Sequence, residues 1–310
     1  MKYRRLFSFV CLAAVGGGFL ALADERRAPR PKSDPKVIDD IFFEKISDAF
    51  NGKTPSVAEL RKKSTQRNIA IQASEGTVTE KGLWPKLVAG STLEDEIKRV
   101  RLDYDATITT PGAFNSGGYQ DARLKLTVLA TLFAVVHEYD GQVRWKKDSA
   151  GARDLISRTA RNCKAGSTQV YNEAKLRKAD LQDLVSGAGV QHRPKKEEND
   201  WSMIADRSPL MEYAEELVSR LEDTGVDARR IKADPTPVRH NAQLLAMLGE
   251  VLVREGMDEA DDEDYQVLSR AMSKTGAEIV RAIEAQDFEA AEKTVSQMRT
   301  RCDQCHEQYR

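Results

Sequence analysis

From Phe288 to Tyr309 an apolar or small side chain recurs every three or four residues, at Phe288, Ala291, Val295, Met298, Cys302, Cys305 and Tyr309. Intervals that alternate between three and four keep all of these positions on one face of an α-helix. Such a face is stable in water only when covered, so the stretch commits this part of the chain to packing helix on helix. Two of the seam positions are cysteines, three residues apart, and His306 follows the second directly, giving C-x-x-C-H.

That triplet is the attachment signature of a c-type haem. Thiols three residues apart on one helix face can each add to one vinyl group of a flat porphyrin, and a histidine beside the second is then held under the ring as proximal iron ligand. With 4 Cys and 4 His in 310 residues, a chance match is expected in roughly one such chain in a thousand, taking positions as independent. The rival readings are a redox or disulfide C-x-x-C with an incidental histidine, and half of a zinc site. A zinc ribbon would want a second C-x-x-C or a paired histidine, and the sequence has neither.

A haem of this kind is attached outside the cytoplasmic membrane, and the N-terminus agrees. Lys2, Arg4 and Arg5 precede an apolar run, Leu6 to Leu22, that ends Ala21-Leu22-Ala23 before Asp24. This reads as a secretory signal over residues 1–23 with an A-x-A cleavage site, and Gly16 to Gly18 favour cleavage over retention as an anchor. The expected location is therefore periplasmic, with no membrane insertion after cleavage. Cys11 leaves with the signal, and the mature chain keeps Cys163, Cys302 and Cys305.

The length suggests two domains. Formal net charge is −1, with 31% charged and 40% hydrophobic residues, which fits a water-soluble helical protein and gives no reason to expect a nucleic-acid partner. The charge is unevenly spread. Residues 24–199 hold 31 basic and 25 acidic residues, net +6, whereas residues 200–310 hold 14 and 24, net −10. A docking of the basic half against an acidic surface, either the other half or a redox partner, is the corresponding expectation.

Periodicity divides the chain as follows. Residues 24–36, with three prolines, form a flexible lead-in. A helical bundle occupies 37–190. It begins with an apolar stripe over Val37 to Phe50 and a short helix over 55–63. The capping box Ser91-Thr92-Leu93-Glu94 opens the next helix, and a glycine-rich loop lies near Phe114 to Gly118. Helices follow over Asp121 to His137, Ser149 to Cys163 and Thr168 to Ser186. The charged stretch 191–200 is a linker. A second bundle, 201–310, starts its first helix with Ser208-Pro209 and its second with Thr236-Pro237. An acidic loop, Asp258 to Asp264, leads to the third helix, seamed by Tyr265, Leu268, Met272, Thr275, Ile279 and Ala282, and the C-x-x-C-H helix is the fourth. The expected fold is all-α: two tandem antiparallel four-helix bundles, the second carrying one covalent c-type haem.

The halves repeat in helix order and length at an offset of 120 residues, pairing Leu124 with Leu244 and Trp145 with Tyr265. Shifted by one to keep the seam, Cys302, Cys305 and His306 face Leu181, Leu184 and Val185. The first bundle therefore reads as a haemless copy.

A four-helix bundle with C-x-x-C-H in its last helix resembles the cytochrome c′ and cytochrome c556 family. The residues that carry the resemblance run from Arg301 to Arg310, with Tyr309 and Arg310 filling the aromatic and basic places that follow the histidine in that family. The likeness spans roughly residues 201–310. It implies that Cys302 and Cys305 hold the haem, that His306 is the proximal ligand and that Arg310 lies beside it. It also implies that the first helix of the bundle decides the sixth iron position. An apolar residue there gives the five-coordinate, gas-binding (nitric oxide or carbon monoxide) type, and a methionine gives the electron carrier. Leu210 and Met211 stand side by side at that point, and Met203 is a weaker candidate. The expected function is electron transfer with a periplasmic redox partner protein, not enzymatic catalysis, with gas binding as the alternative. Because members of the family often dimerise, either a homodimer is expected or the first bundle takes that place. Of the remaining residues, His240 reads as an exposed helix-start histidine before a distal ligand, His137 as structural, and Cys163 as a buried thiol before an intermolecular disulfide partner.

Overall fold

The computed structural model describes residues 82–190 and 197–309. The expectations for the signal, the lead-in and the helices before residue 64 lie outside them, as do linker residues 191–196, with His192, and Arg310. Among the described residues the fold is all-α, with no strand. The described residues make one compact unit.

Eight helices carry it: α1 (Gly90–Thr107), α2 (Tyr119–Glu138), α3 (Ser149–Asn162), α4 (Thr168–Ser186), α5 (Arg207–Thr224), α6 (Thr236–Val251), α7 (Glu263–Glu284) and α8 (Phe288–His306). Their ends follow from local chemistry. Ser167, Asp262 and Asp287 each accept a backbone N–H of the helix they open, α4, α7 and α8 respectively, satisfying donors that have no partner within the helix. α4 stops at Gly187, whose φ of 96° a side chain would resist, while the Ala188 N–H reaches back to the Asp183 carbonyl at 2.9 Å.

Several starts differ from the sequence reading. The capping box at Ser91 does not form. α1 begins two residues earlier with Ala89 as N-cap, and the Glu94 carboxylate accepts the Arg144 backbone N–H at 2.9 Å. α5 starts at Arg207 with Asp206 before it, which places Pro209 inside the first turn, where its missing N–H costs no helix bond. The glycine-rich loop is a wide helical turn, Phe114–Gly118, broken at Gly117 with φ 148°. A short helix at Ala228–Ala233 joins α5 to α6.

α2 and α6 are buried almost all round and form the centres of the two halves. α2 packs on α1 and α3, α4 packs on α3 and α1, α6 packs on α5 and α7, and α8 packs on α7 and α5. α6 and α7 approach closely because glycines face backbone. A Cβ at Gly276 would lie 2.5 Å from the Ala242 carbonyl oxygen, and one at Gly249 would lie 2.6 Å from that of Ser269.

The halves also meet, α2 against α5 and α1 against α6, and their buried side chains form one continuous core. Trp84 and Trp201 meet at a tilt of 48° with centroids 6.5 Å apart, and the Trp84 indole N–H donates to Glu138 at 2.8 Å. Asn199, placed in the linker by sequence, donates to the Ala134 carbonyl at 2.9 Å and to Glu138 at 2.5 Å. At the centre Glu96 of α1, wholly buried, accepts from Tyr213 of α5 at 2.8 Å, from His240 of α6 at 2.9 Å and from Arg99 at 2.6 and 2.9 Å, with Arg220 at 3.4 Å. Nothing in the sequence singled Glu96 out. His240 is half-buried in this knot, not an exposed helix-start residue. Basic residues of the first half do meet acidic residues of the second, Arg123 and Lys164 on Asp206 and Lys125 on Glu216, while the Glu96 knot has the opposite polarity.

A candidate haem-attachment cleft

α8 presents Ala291, Val295 and Met298 to the core, and beyond them the same face carries Cys302, Cys305 and Tyr309, which are only partly buried. The core therefore opens at the C-terminal end of the seam. The result is a cleft between α5, α7 and α8, lined by Arg207, Met211, Ala214 and Glu215 of α5, Leu252 after α6, Tyr265, Leu268, Ser269 and Met272 of α7, and Arg301, Cys302, Cys305, His306 and Tyr309.

Both thiols and His306 thus border one space. Met211 borders it too, whereas Leu210 is fully buried and is not part of the lining. Met203, half exposed in the one-turn helix Trp201–Ile204, and His240 lie elsewhere. Met272, expected only as a seam residue, is a second thioether in the cleft.

Burial pushes the Cys302 thiol up to about 11 and raises that of Cys305. Redox-active C-x-x-C pairs depend on a lowered thiol pKa, so this environment disfavours the thiolate chemistry of that rival. Cys163 is fully buried, its thiol pushed by burial to about 12, and no sulfur surface is offered to an intermolecular disulfide.

Three polar atoms in the wall lack a well-formed hydrogen bond: Tyr265 Oη, Ser269 Oγ and Arg207 Nη1. They lie close to one another, and the Arg207 guanidinium stands 5.9 Å from the Tyr265 ring centroid. Tyr265 meets Tyr309 edge to face at 5.2 Å, and the Asp262 carboxylate beside Tyr309 pushes its hydroxyl up to about 12. At the outer side of α8, Arg299 grips Glu215 at 2.7 and 2.8 Å and Glu222 at 2.8 and 3.0 Å, tying α8 to α5.

The donor set suits a covalently held porphyrin: two thiols on one apolar face, an imidazole beside them and a thioether on the facing helix. The enclosed space does not yet match it. The cleft measures about 50 Å³, against ~300–1,000 Å³ for a typical cofactor pocket, so α5 and α8 have to part to admit a macrocycle. In the first half, the space beside Leu181 and Leu184 measures about 10 Å³, room for no more than one water.

Among the described residues no helix is long and apolar enough to cross a membrane. Comparison with protein-family models, curated proteins and solved structures gives no match.

Proposed function

We propose that this chain is an exported monohaem c-type cytochrome of the cytochrome c′ and cytochrome c556 kind, built as two tandem four-helix bundles of which the second carries the haem. Cys302 and Cys305 would hold the group through thioether bonds and His306 would ligate its iron, with Arg310 four residues further along the sequence. The observation that carries this reading is the convergence of Met211, Cys302, Cys305 and His306 on one cleft. When bound, the haem supplies a centre that accepts and releases one electron.

The chain's residues do the rest. Leu252, Leu268 and Met272 exclude water from the group, which with the axial ligands sets its potential. Met211 favours the six-coordinate electron carrier over the five-coordinate gas binder, because it and not Leu210 borders the cleft. The role is that of a carrier serving a periplasmic redox protein. Absorption spectra of the reduced protein with and without carbon monoxide test this choice. A low-spin spectrum indifferent to the gas is expected, and a high-spin spectrum that shifts on adding it would favour the gas binder.

A further inference from the structure

α5 brings Met211 to the cysteines, yet it is not held in the usual way at its start. Asp206 occupies the N-cap position and caps nothing. Its carboxylate is turned toward the first half, where it pairs with Arg123 at 2.5 Å and Lys164 at 3.3 Å. Burial raises that carboxyl and the two cations more than offset it, leaving its pKa lowered. Further along, Tyr213 donates to Glu96, Glu216 pairs with Lys125 at 2.7 Å, and Arg220 reaches Glu96.

Positions 213, 216 and 220 fall at helical spacing on one face, Asp206 precedes them in extended backbone, and every partner named comes from the first half. The other face bears Met211 toward the cleft and Glu215 and Glu222 toward Arg299. α5 is therefore clamped between the first half and the C-x-x-C-H helix.

We propose that the first half serves as a built-in splint, in which Arg123 and Lys164, acting through Asp206, position the opening turns of α5 and so set where Met211 and Arg207 stand at the cleft. This gives the haemless half a task that its filled cleft leaves open. For the iron ligand it rests on the function proposed above. Arg123 and Lys164 are positioning residues that touch nothing in the cleft.

The test uses the full-length exported protein with an Arg123→Ala/Lys164→Ala double variant and Arg123→Lys alone. Two readouts are taken: hydrogen exchange, helix by helix, and the haem spectrum. In the double variant, amides of residues 210–213, the first with partners inside the helix, should exchange about tenfold faster while those of α7 are unchanged, the scale expected from losing two partly exposed ion pairs. The thioether-to-iron charge-transfer band should weaken and the potential fall, since methionine ligation raises it. Arg123→Lys should restore both. The splint is refuted by unchanged protection of α5, by protection lost equally in every helix, or by a loosened α5 with an unchanged spectrum. A wild-type chain without haem would defeat the proposed function alone, and exchange in α5 would then decide the splint by itself.

Discussion

Replacing Glu96 by glutamine removes the carboxylate on which four donors converge. Tyr213, His240, Arg99 and Arg220 converge on it, and its exposed surface is nil. Glutamine keeps the shape but loses the charge, and it turns an NH₂ group toward groups that themselves donate. Breaking a buried ion pair from one side costs about 3–5 kcal/mol, here toward the lower end because Arg99, Arg220 and His240 are partly exposed and Arg99 keeps Asp103. For a unit of this size that lowers the melting midpoint by roughly 6–20 °C.

The pH dependence has a definite sign. Burial raises the Glu96 carboxyl, but the bonds from His240 and Arg99 and the charges of Arg99 and Arg220 outweigh it and hold its pKa far below the ordinary value. A depressed folded pKa contributes stability that is complete above the unfolded value of about 4.3 and is lost as pH falls below it. Urea unfolding of wild type and Glu96→Gln should therefore differ by about 3–5 kcal/mol at pH 7 and converge as the solution is acidified below about pH 4. A difference under about 1 kcal/mol at neutral pH, or one that stays constant into acid, would show that Glu96 is not the charged centre of the knot.

Other changes should behave according to their surroundings. Gly276→Ala sets a methyl against the Ala242 carbonyl and should cost about 1–3 kcal/mol by overpacking α6 against α7, read by thermal unfolding. Leu184→Ala, at a buried position that fills the first half's cleft, should cost about 2–5 kcal/mol in urea unfolding. Arg299→Ala breaks pairs with the exposed Glu215 and Glu222 and should cost no more than about 1 kcal/mol, diminishing with salt. Cys163 should react with a thiol reagent only on unfolding, since its sulfur is buried and its thiol pushed up to about 12.

What was legible in the sequence was periodic or covalent. The seam from Phe288 marked a helix, observed over Phe288–His306, and Cys302, Cys305 and His306 stood out on it as a motif. Helix ends were less readable, because they turn on competition for partners: Glu94 serves Arg144 and Asp206 serves Arg123 and Lys164 instead of capping their own helices. The Glu96 knot was invisible because Tyr213, Arg220 and His240 each lie more than a hundred residues from Glu96, and each member, taken alone, is an ordinary polar residue on a helix. Leu210 and Met211 illustrate the same limit. Adjacent residues on a helix point about 100° apart, and which one meets the cleft depends on the rotation of α5, set by long-range packing.

The most direct test of the central claim is the intact mass of the protein exported from cells that attach c-type haem, measured after denaturation. The account predicts a mass greater than the polypeptide by one haem, retained in denaturant, and lost in a Cys302→Ser/Cys305→Ser variant. A bare polypeptide mass, or a coloured group removed by denaturant from the wild-type chain, would contradict it.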